Sequence, residues 1–377
     1  MKIVPFSILF LAFSLVLSST SHGQPNMHKH HKGCHYSWNA QKMEPLTDKQ
    51  LADLQTSAER SDTIDILNYN ITLEIIDFSG KRINGNTEVT FTPKMDNTNR
   101  IELDLLSFNV DSVYLDDENV PFVNDGLFIT VEFTNALNVG DTSSLKIWYN
   151  GQTTISPGGF GGLDFRDGIA YNLGIGLGSN PYNYGRGWYP CFDNFVERAG
   201  YDFNIISKLP NKAYCSGVFM GETTMNGDTL MRSYSIDLEL PSYLAGVAVG
   251  EFSEFNDIHD GLERDIPIQL VASPANINAM EASFVDLGGV IDALEFWFGP
   301  YAWNRVGFVT TQVGAMEHAD NIAYPTFSAI GGNTFANRRL MAHELAHHWW
   351  GNVAGIPGAS DMWFKEGNAE YLSLIHI

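Results

Sequence analysis

The sequence predicts a multidomain protein in which an antiparallel β domain is followed by a domain that carries its chemistry on helices. Three observations point there. Apolar and polar residues alternate with a period of two from Asp62 to about Tyr149, turn signals punctuate that stretch, and after Asp260 the apolar spacing changes towards a helical period. The chain of 377 residues has room for two or three domains. With 44% hydrophobic and 18% charged residues it has the composition of a globular protein, which excludes disorder, collagen-like repeats and coiled coil as its main state.

The N-terminus comes first. Lys2, the apolar run Phe6 to Leu17 and the small-x-small triplet Ser21-His22-Gly23 read as an export signal over residues 1–23, with a mature start near Gln24. That places the protein in the periplasm or outside the cell. No later run approaches the 18 apolar residues of a span, so the mature chain has no expected membrane segment. Residues 24–61 include His28, His30, His31 and His35 around Cys34 and read as a mobile, solvated segment.

Residues 62–255 form the expected β domain. Tyr69, Ile71, Leu73 and Ile75 point one way and Asn70, Thr72 and Glu74 the other, and Ile101, Leu103 and Leu105 repeat the pattern. Asp77-Phe78-Ser79-Gly80, Asn84-Gly85 and Asp125-Gly126 are the turn signals. The glycine-rich passage from Gly151 to Gly187 has neither phosphate-loop nor dinucleotide spacing and reads as irregular loop. Cys191 and Cys215 are open to two readings, a bridge or two buried thiols.

Residues 256–377 form the second domain. One helix is expected over Asn276 to Phe298, with Phe284, Leu287, Val290, Ile291 and Leu294 as its packing stripe, and another over Thr334 to Trp350. The latter contains His343-Glu344-Leu345-Ala346-His347. Histidines at i and i+4 share a helical face, so two ring nitrogens can converge on one metal ion, with Glu344 beside them to take a proton from its water. Eighteen residues after His347, Glu366 lies in Trp363-Phe364-Lys365-Glu366-Gly367, a plausible second helix start. Two His and one Glu leave a fourth tetrahedral position open, the arrangement of catalytic zinc. Glu370 competes by type as third ligand and ranks below Glu366.

These motifs together resemble the gluzincin aminopeptidases, the zinc metallopeptidase family of aminopeptidase N and leukotriene hydrolase. The match includes the His-Glu-x-x-His, eighteen-residue, Glu spacing, and upstream Gly314-Ala315-Met316-Glu317-His318, which is similar to the family's Gly-Ala-Met-Glu-Asn exopeptidase motif. Arg186-Gly187-Trp188-Tyr189-Pro190-Cys191-Phe192-Asp193 resembles a further family segment, and the order holds over roughly residues 62 to 371. The resemblance implies an N-terminal β domain followed by a thermolysin-like α/β zinc domain. It implies one Zn2+ held by His343, His347 and Glu366, and a general base, Glu344, that activates zinc-bound water against a peptide carbonyl. It also makes Glu317 the anchor for a free α-ammonium, with Gly314 and Ala315 orienting the substrate chain. The activity implied is removal of N-terminal residues from peptides. An endopeptidase, an epoxide hydrolase and a non-catalytic peptide-binding relative are the alternatives.

Two positions depart from the family pattern. His318 stands where it has Asn, and Pro181 where it has a second amine-anchoring Glu or Gln. Relatives also continue beyond the point reached 11 residues after Glu366, with helices and an oxyanion-stabilising tyrosine, and Leu372 to Ile377 reads like a translated sequencing adapter. The sequence reading is therefore of a truncated catalytic domain with little activity by itself. Twenty-two Lys+Arg against 44 Asp+Glu give a net charge of −22, which excludes nucleic acid as a partner and leaves peptides with a free N-terminus.

Overall fold

Strand Ile64–Asp77 shows why the first part of the chain folds as sheet: Tyr69, Ile71, Leu73 and Ile75 are buried while Glu74 between them is exposed. The computed structural model describes residues 58–375 apart from 177, 178, 180 and 181. The export signal, Cys34 with the His-rich segment around it, Pro181 and the last two residues lie outside the described residues.

Ile64–Asp77 sits in an eight-stranded sheet, in the order Val218–Thr224, Thr229–Leu240, Ala199–Lys208, Ile64–Asp77, Arg82–Pro93, Ser143–Gln152, Asn109–Leu115 and Glu118–Asn119. Its pairings are antiparallel except one. Ile64–Asp77 runs parallel to Ala199–Lys208, with Ile71 opposite Phe203, because the long intervening chain returns to the same edge. A three-stranded sheet of Thr98–Asp104, Phe128–Leu137 and Val123–Asn124 packs on it, where the Phe91 and Phe133 rings stack at 5.8 Å.

Two of the three turn signals mark turns. Asp77 Oδ1 accepts from Gly80 N–H at 2.8 Å, and Asp125 Oδ1 accepts from Leu127 and Phe128 N–H beside Gly126 at φ 88. Asn84-Gly85 instead lies inside strand Arg82–Pro93, where Gly85 pairs with Leu73. Glycine is needed there for a close approach, since a Cβ would stand 2.0 Å from the Thr72 carbonyl oxygen.

The glycine-rich passage is more ordered than expected. Gly162–Arg166 and Ile169–Leu173 are strands of a second four-stranded group with Val247–Gly250 and Lys212–Cys215. Leu163, Phe165, Tyr171 and Leu173 are the apolar residues that drive them inward, a signal hidden by the surrounding glycines. Gly174 then lets the chain pass Tyr243, whose carbonyl oxygen would be 1.7 Å from a Cβ. Cys191 and Cys215 are buried free thiols, so the bridge reading does not hold.

Sheet membership changes between Gly250 and Ser253. Ser253–Asp260, Asp265–Ala272, Val306–Thr311 and Ile322–Pro325 form the last sheet, antiparallel at its first pairing and parallel at the other two. The helical reading after Asp260 missed three strands, Asp265–Ala272, Val306–Thr311 and Ile322–Pro325; every residue of the last two is buried, leaving no alternation to detect there. The helices after Ser253 are α1 (Ile277–Ser283), α2 (Leu287–Phe298), α3 (Thr326–Ala329), α4 (Phe335–Ala346) and α5 (Met362–Ile375). The single helix expected over Asn276 to Phe298 is thus two. Phe284 leaves the helix to set its ring edge-on against Phe308 and Tyr324, while Leu287, Val290, Ile291 and Leu294 stay buried on α2. Likewise α4 ends at Ala346, four residues short of Trp350, as Gly351 at φ 136 turns the chain and its N–H bonds to the Ala354 carbonyl.

Candidate metal centre

Helices α4 and α5 pack together, and their contact brings three donors to one point. His343 near the end of α4 and His347 capping it place their Nε2 atoms 3.1 Å apart. Glu366, in the second turn of α5, sets Oε2 at 3.4 Å from each of those nitrogens. Two ligands about 2.0–2.1 Å from a tetrahedral ion stand roughly 3.3 Å apart, so the triangle has the size that a zinc ion requires.

The orientations suit ligation as well. His347 Nδ1 donates to the Trp350 carbonyl at 3.0 Å, which leaves the Nε2 lone pair facing the other donors. His343 Nδ1 stands 3.5 Å from Glu370 Oε2, and Glu370 is paired with Arg339. Glu370 therefore addresses the far nitrogen of His343, and the competition for third ligand falls to Glu366. Burial alone would raise the Glu366 pKa, but Lys365 and His347 outweigh it and hold the carboxylate well below its ordinary range, ionised and ready to ligate.

Glu344 is 1% exposed, and neither of its carboxylate oxygens has a hydrogen-bond partner among the described residues. Burial pushes its pKa up to about 8. A buried carboxylate left unpartnered beside three converging donors marks a place where a further polar species belongs. The site thus fits a divalent ion with a water beside it.

Glu317 follows Gly314 and Ala315, all three buried. Gly314 adopts φ 73, where a Cβ would meet the Phe160 ring at 2.4 Å, and Met316 is tied to Ala323 by reciprocal backbone bonds. Asn352 Nδ2 donates to the Glu317 carbonyl at 2.8 Å, which fixes this segment beside the turn after α4. Burial alone would raise the Glu317 pKa, but Lys365 and His347 bring it down to about 2. The Lys365 ammonium donates to Glu317 Oε1 at 2.5 Å and to Glu366 Oε1 at 2.7 Å. The sequence reading had no role for Lys365. Its signal was a lysine between Phe364 and the ligand Glu366, a charge that had to find buried partners.

His318 is buried, its Nε2 has no hydrogen-bond partner among the described residues, and burial lowers its pKa to about 4, so it is a neutral ring. It packs on Gly246, where a Cβ would come within 2.7 Å of it.

The segment Arg186 to Asp193 stands behind the site. Asp193, fully buried, accepts from Gly185 N–H, Arg186 N–H, the Arg186 guanidinium and the Ser242 hydroxyl. Next to Ser242, Tyr243 lies with its ring centroid 5.7 Å from Lys365 Nζ. The motif therefore braces the residue on which the lysine rests.

No family model matches the chain. Leucine aminopeptidase 2 of Vanderwaltozyma polyspora is 27% identical over 333 residues, covering 81% of this chain and 45% of the relative. The leukotriene A-4 hydrolase homolog of Botryotinia fuckeliana is 28% identical over 50% of this chain and 29% of its own length, and the glutamyl aminopeptidase of Bos taurus 24% over 50% and 21%. The chain spans less than half the length of these curated relatives. Among solved structures, the M1 zinc metallopeptidase of Deinococcus radiodurans superposes with a TM-score of 0.74 at 23% identity, over 83% of this chain and 70% of that one. The chain has the M1 zinc metallopeptidase fold. The names of its relatives are consistent with the gluzincin aminopeptidase family that the motifs resemble. In this M1 fold the sheet-rich part comes first and the helices that bear the donors follow.

Proposed function

We propose that this chain is the zinc-bearing part of an aminopeptidase that removes N-terminal residues from peptides. The observation that carries the reading is the triangle of His343, His347 and Glu366 donors with the unpartnered Glu344 carboxylate beside it. One zinc ion is the expected occupant, and when bound it supplies Lewis-acid polarisation of a carbonyl and a lowered water pKa. Relatives named aminopeptidases support the substrate class, as does a solved M1 neighbour bound to a Tyr-Ser-Ala substrate.

The chain's own residues divide the work. Glu344 accepts the proton of the attacking water and returns it to the leaving amine. Glu317 pairs with the substrate's α-ammonium, which sets the distance between amine and scissile bond. Gly314 and Ala315 present backbone to the substrate's extended chain. In this reading the first 23 residues direct export, so the N-terminus of the secreted protein should be found near Gln24 by peptide sequencing; retention of residues 1–23 would argue for a different address. The division between β domain and catalytic domain falls near residue 255.

The test is Glu317→Gln. Hydrolysis of an aminoacyl anilide should fall by on the order of a hundredfold, mainly in kcat/KM, while any cleavage of an N-acetylated peptide is spared, since a charge-assisted contact to the substrate amine is lost. Equal losses on free and blocked substrates would assign Glu317 to structure and favour an endopeptidase.

A further inference from the structure

Lys365 is an unusual residue to find beside a site that receives an ammonium group. Its side chain is 1% exposed, like that of Glu317. A lysine buried this deeply needs compensating charge, and it has it: Glu317 Oε1 at 2.5 Å, Glu366 Oε1 at 2.7 Å and the Tyr243 ring face. The stem reaches this position along Gly351, where a Cβ would stand 3.3 Å from Lys365 Cδ, so the glycine leaves the stem its path.

A peptide's α-ammonium needs the same surroundings. Glu317 offers one negative charge, and a second ammonium brought to it within a few ångströms of Lys365 Nζ would be repelled in a poorly solvated site. Glu317 is held through its backbone by Asn352, whereas lysine is a compact charge on a flexible four-carbon stem. The lysine is the partner able to give way.

We propose that Lys365 is a specificity-determining residue: its ammonium occupies the carboxylate that the substrate's α-ammonium takes, so each free amine must displace it. This rests on the reading of Glu317 as the amine anchor. The competition lowers the preference for free over uncharged N-termini below what Glu317 alone would give. It also lets the site keep a neutralised Glu317 when a substrate without a charged amine is present.

The experiment measures binding by calorimetry to the zinc-loaded protein, with L-leucine and its hydroxy analogue 2-hydroxy-4-methylpentanoate as probes. Zinc content is determined for every variant. Lys365→Met should raise the affinity ratio of leucine over the hydroxy acid by about tenfold or more, and Lys365→Asn, smaller and still a donor, by less. Glu317→Gln should bring the ratio close to one. If Glu317→Gln collapses the ratio while both lysine variants leave it unchanged, the competition is refuted and the amine anchor stands. If Glu317→Gln leaves the ratio unchanged, the anchor reading fails and this inference with it. The unmutated protein supplies a measurement independent of variant folding. A crystal structure with L-leucine should show the ligand ammonium on Glu317 and Lys365 Nζ beyond hydrogen-bond distance of it. Both ammonium groups found together on Glu317 would overturn the proposal.

Discussion

Replacing Glu344 by Gln is expected to leave the metal in place and to cut peptide hydrolysis by roughly a thousandfold or more, within or above the range of about 10²–10⁴ that a positioned general base contributes. The substitution keeps the side chain's volume in a pocket where it is 1% exposed, so neither packing nor the three donors should move. What it removes is a carboxylate that spends no hydrogen bond on the described residues and is therefore available to a water. The two readouts are zinc stoichiometry by elemental analysis and kcat on an aminoacyl anilide. Unchanged zinc with an unchanged rate would sink the assignment. Loss of zinc would show instead that Glu344 shapes the ligand triangle.

The metal centre was legible in the sequence because its geometry is local. His343 and His347 are related by helical period alone, and Glu366 needed only a loop long enough to bring α5 back against α4. The same locality explains the strands from Ile64 to Gln152, whose alternation records one buried face. Features set by partners distant in sequence were not legible. The parallel pairing of Ile64–Asp77 with Ala199–Lys208 joins segments more than a hundred residues apart, and no pattern within either strand announces it. Val306–Thr311 is buried on both faces, so it carries no periodicity. The partner of Lys365 was not legible either, since Glu317 lies 48 positions away along the chain. Glu370 matched a ligand by type, and only the fold shows it turned to the outer nitrogen of His343.

The segment Arg186 to Asp193, read from sequence only as a family-like motif, is built as structure. Its aspartate lies at 0% exposure, and burial raises the Asp193 pKa in spite of Arg186, the mark of an ion pair whose desolvation is barely offset by attraction. Its worth lies in what depends on it. Asp193 takes four hydrogen bonds, from two backbone N–H groups, a guanidinium and the Ser242 hydroxyl, and its own N–H donates to Asp104 Oδ2 at 3.0 Å. Cys191 adds reciprocal backbone bonds to Asp104, so the segment is sewn to the end of strand Thr98–Asp104 on one side and to the Ser242-Tyr243 turn on the other. Asp193→Ala withdraws the acceptor from four donors at once without removing them from the interior. It should destabilise the protein by about 3–5 kcal/mol, read as a lower midpoint of urea unfolding. Because Tyr243 supports Lys365, whose ammonium competes for Glu317, a folded Asp193→Ala protein should favour a free amine over its uncharged analogue more than the unmutated protein does while keeping its zinc, since His343, His347 and Glu366 are carried by α4 and α5. A variant with wild-type stability would show the motif to be dispensable to the fold, and loss of zinc would mean that the brace acts on the ligands directly.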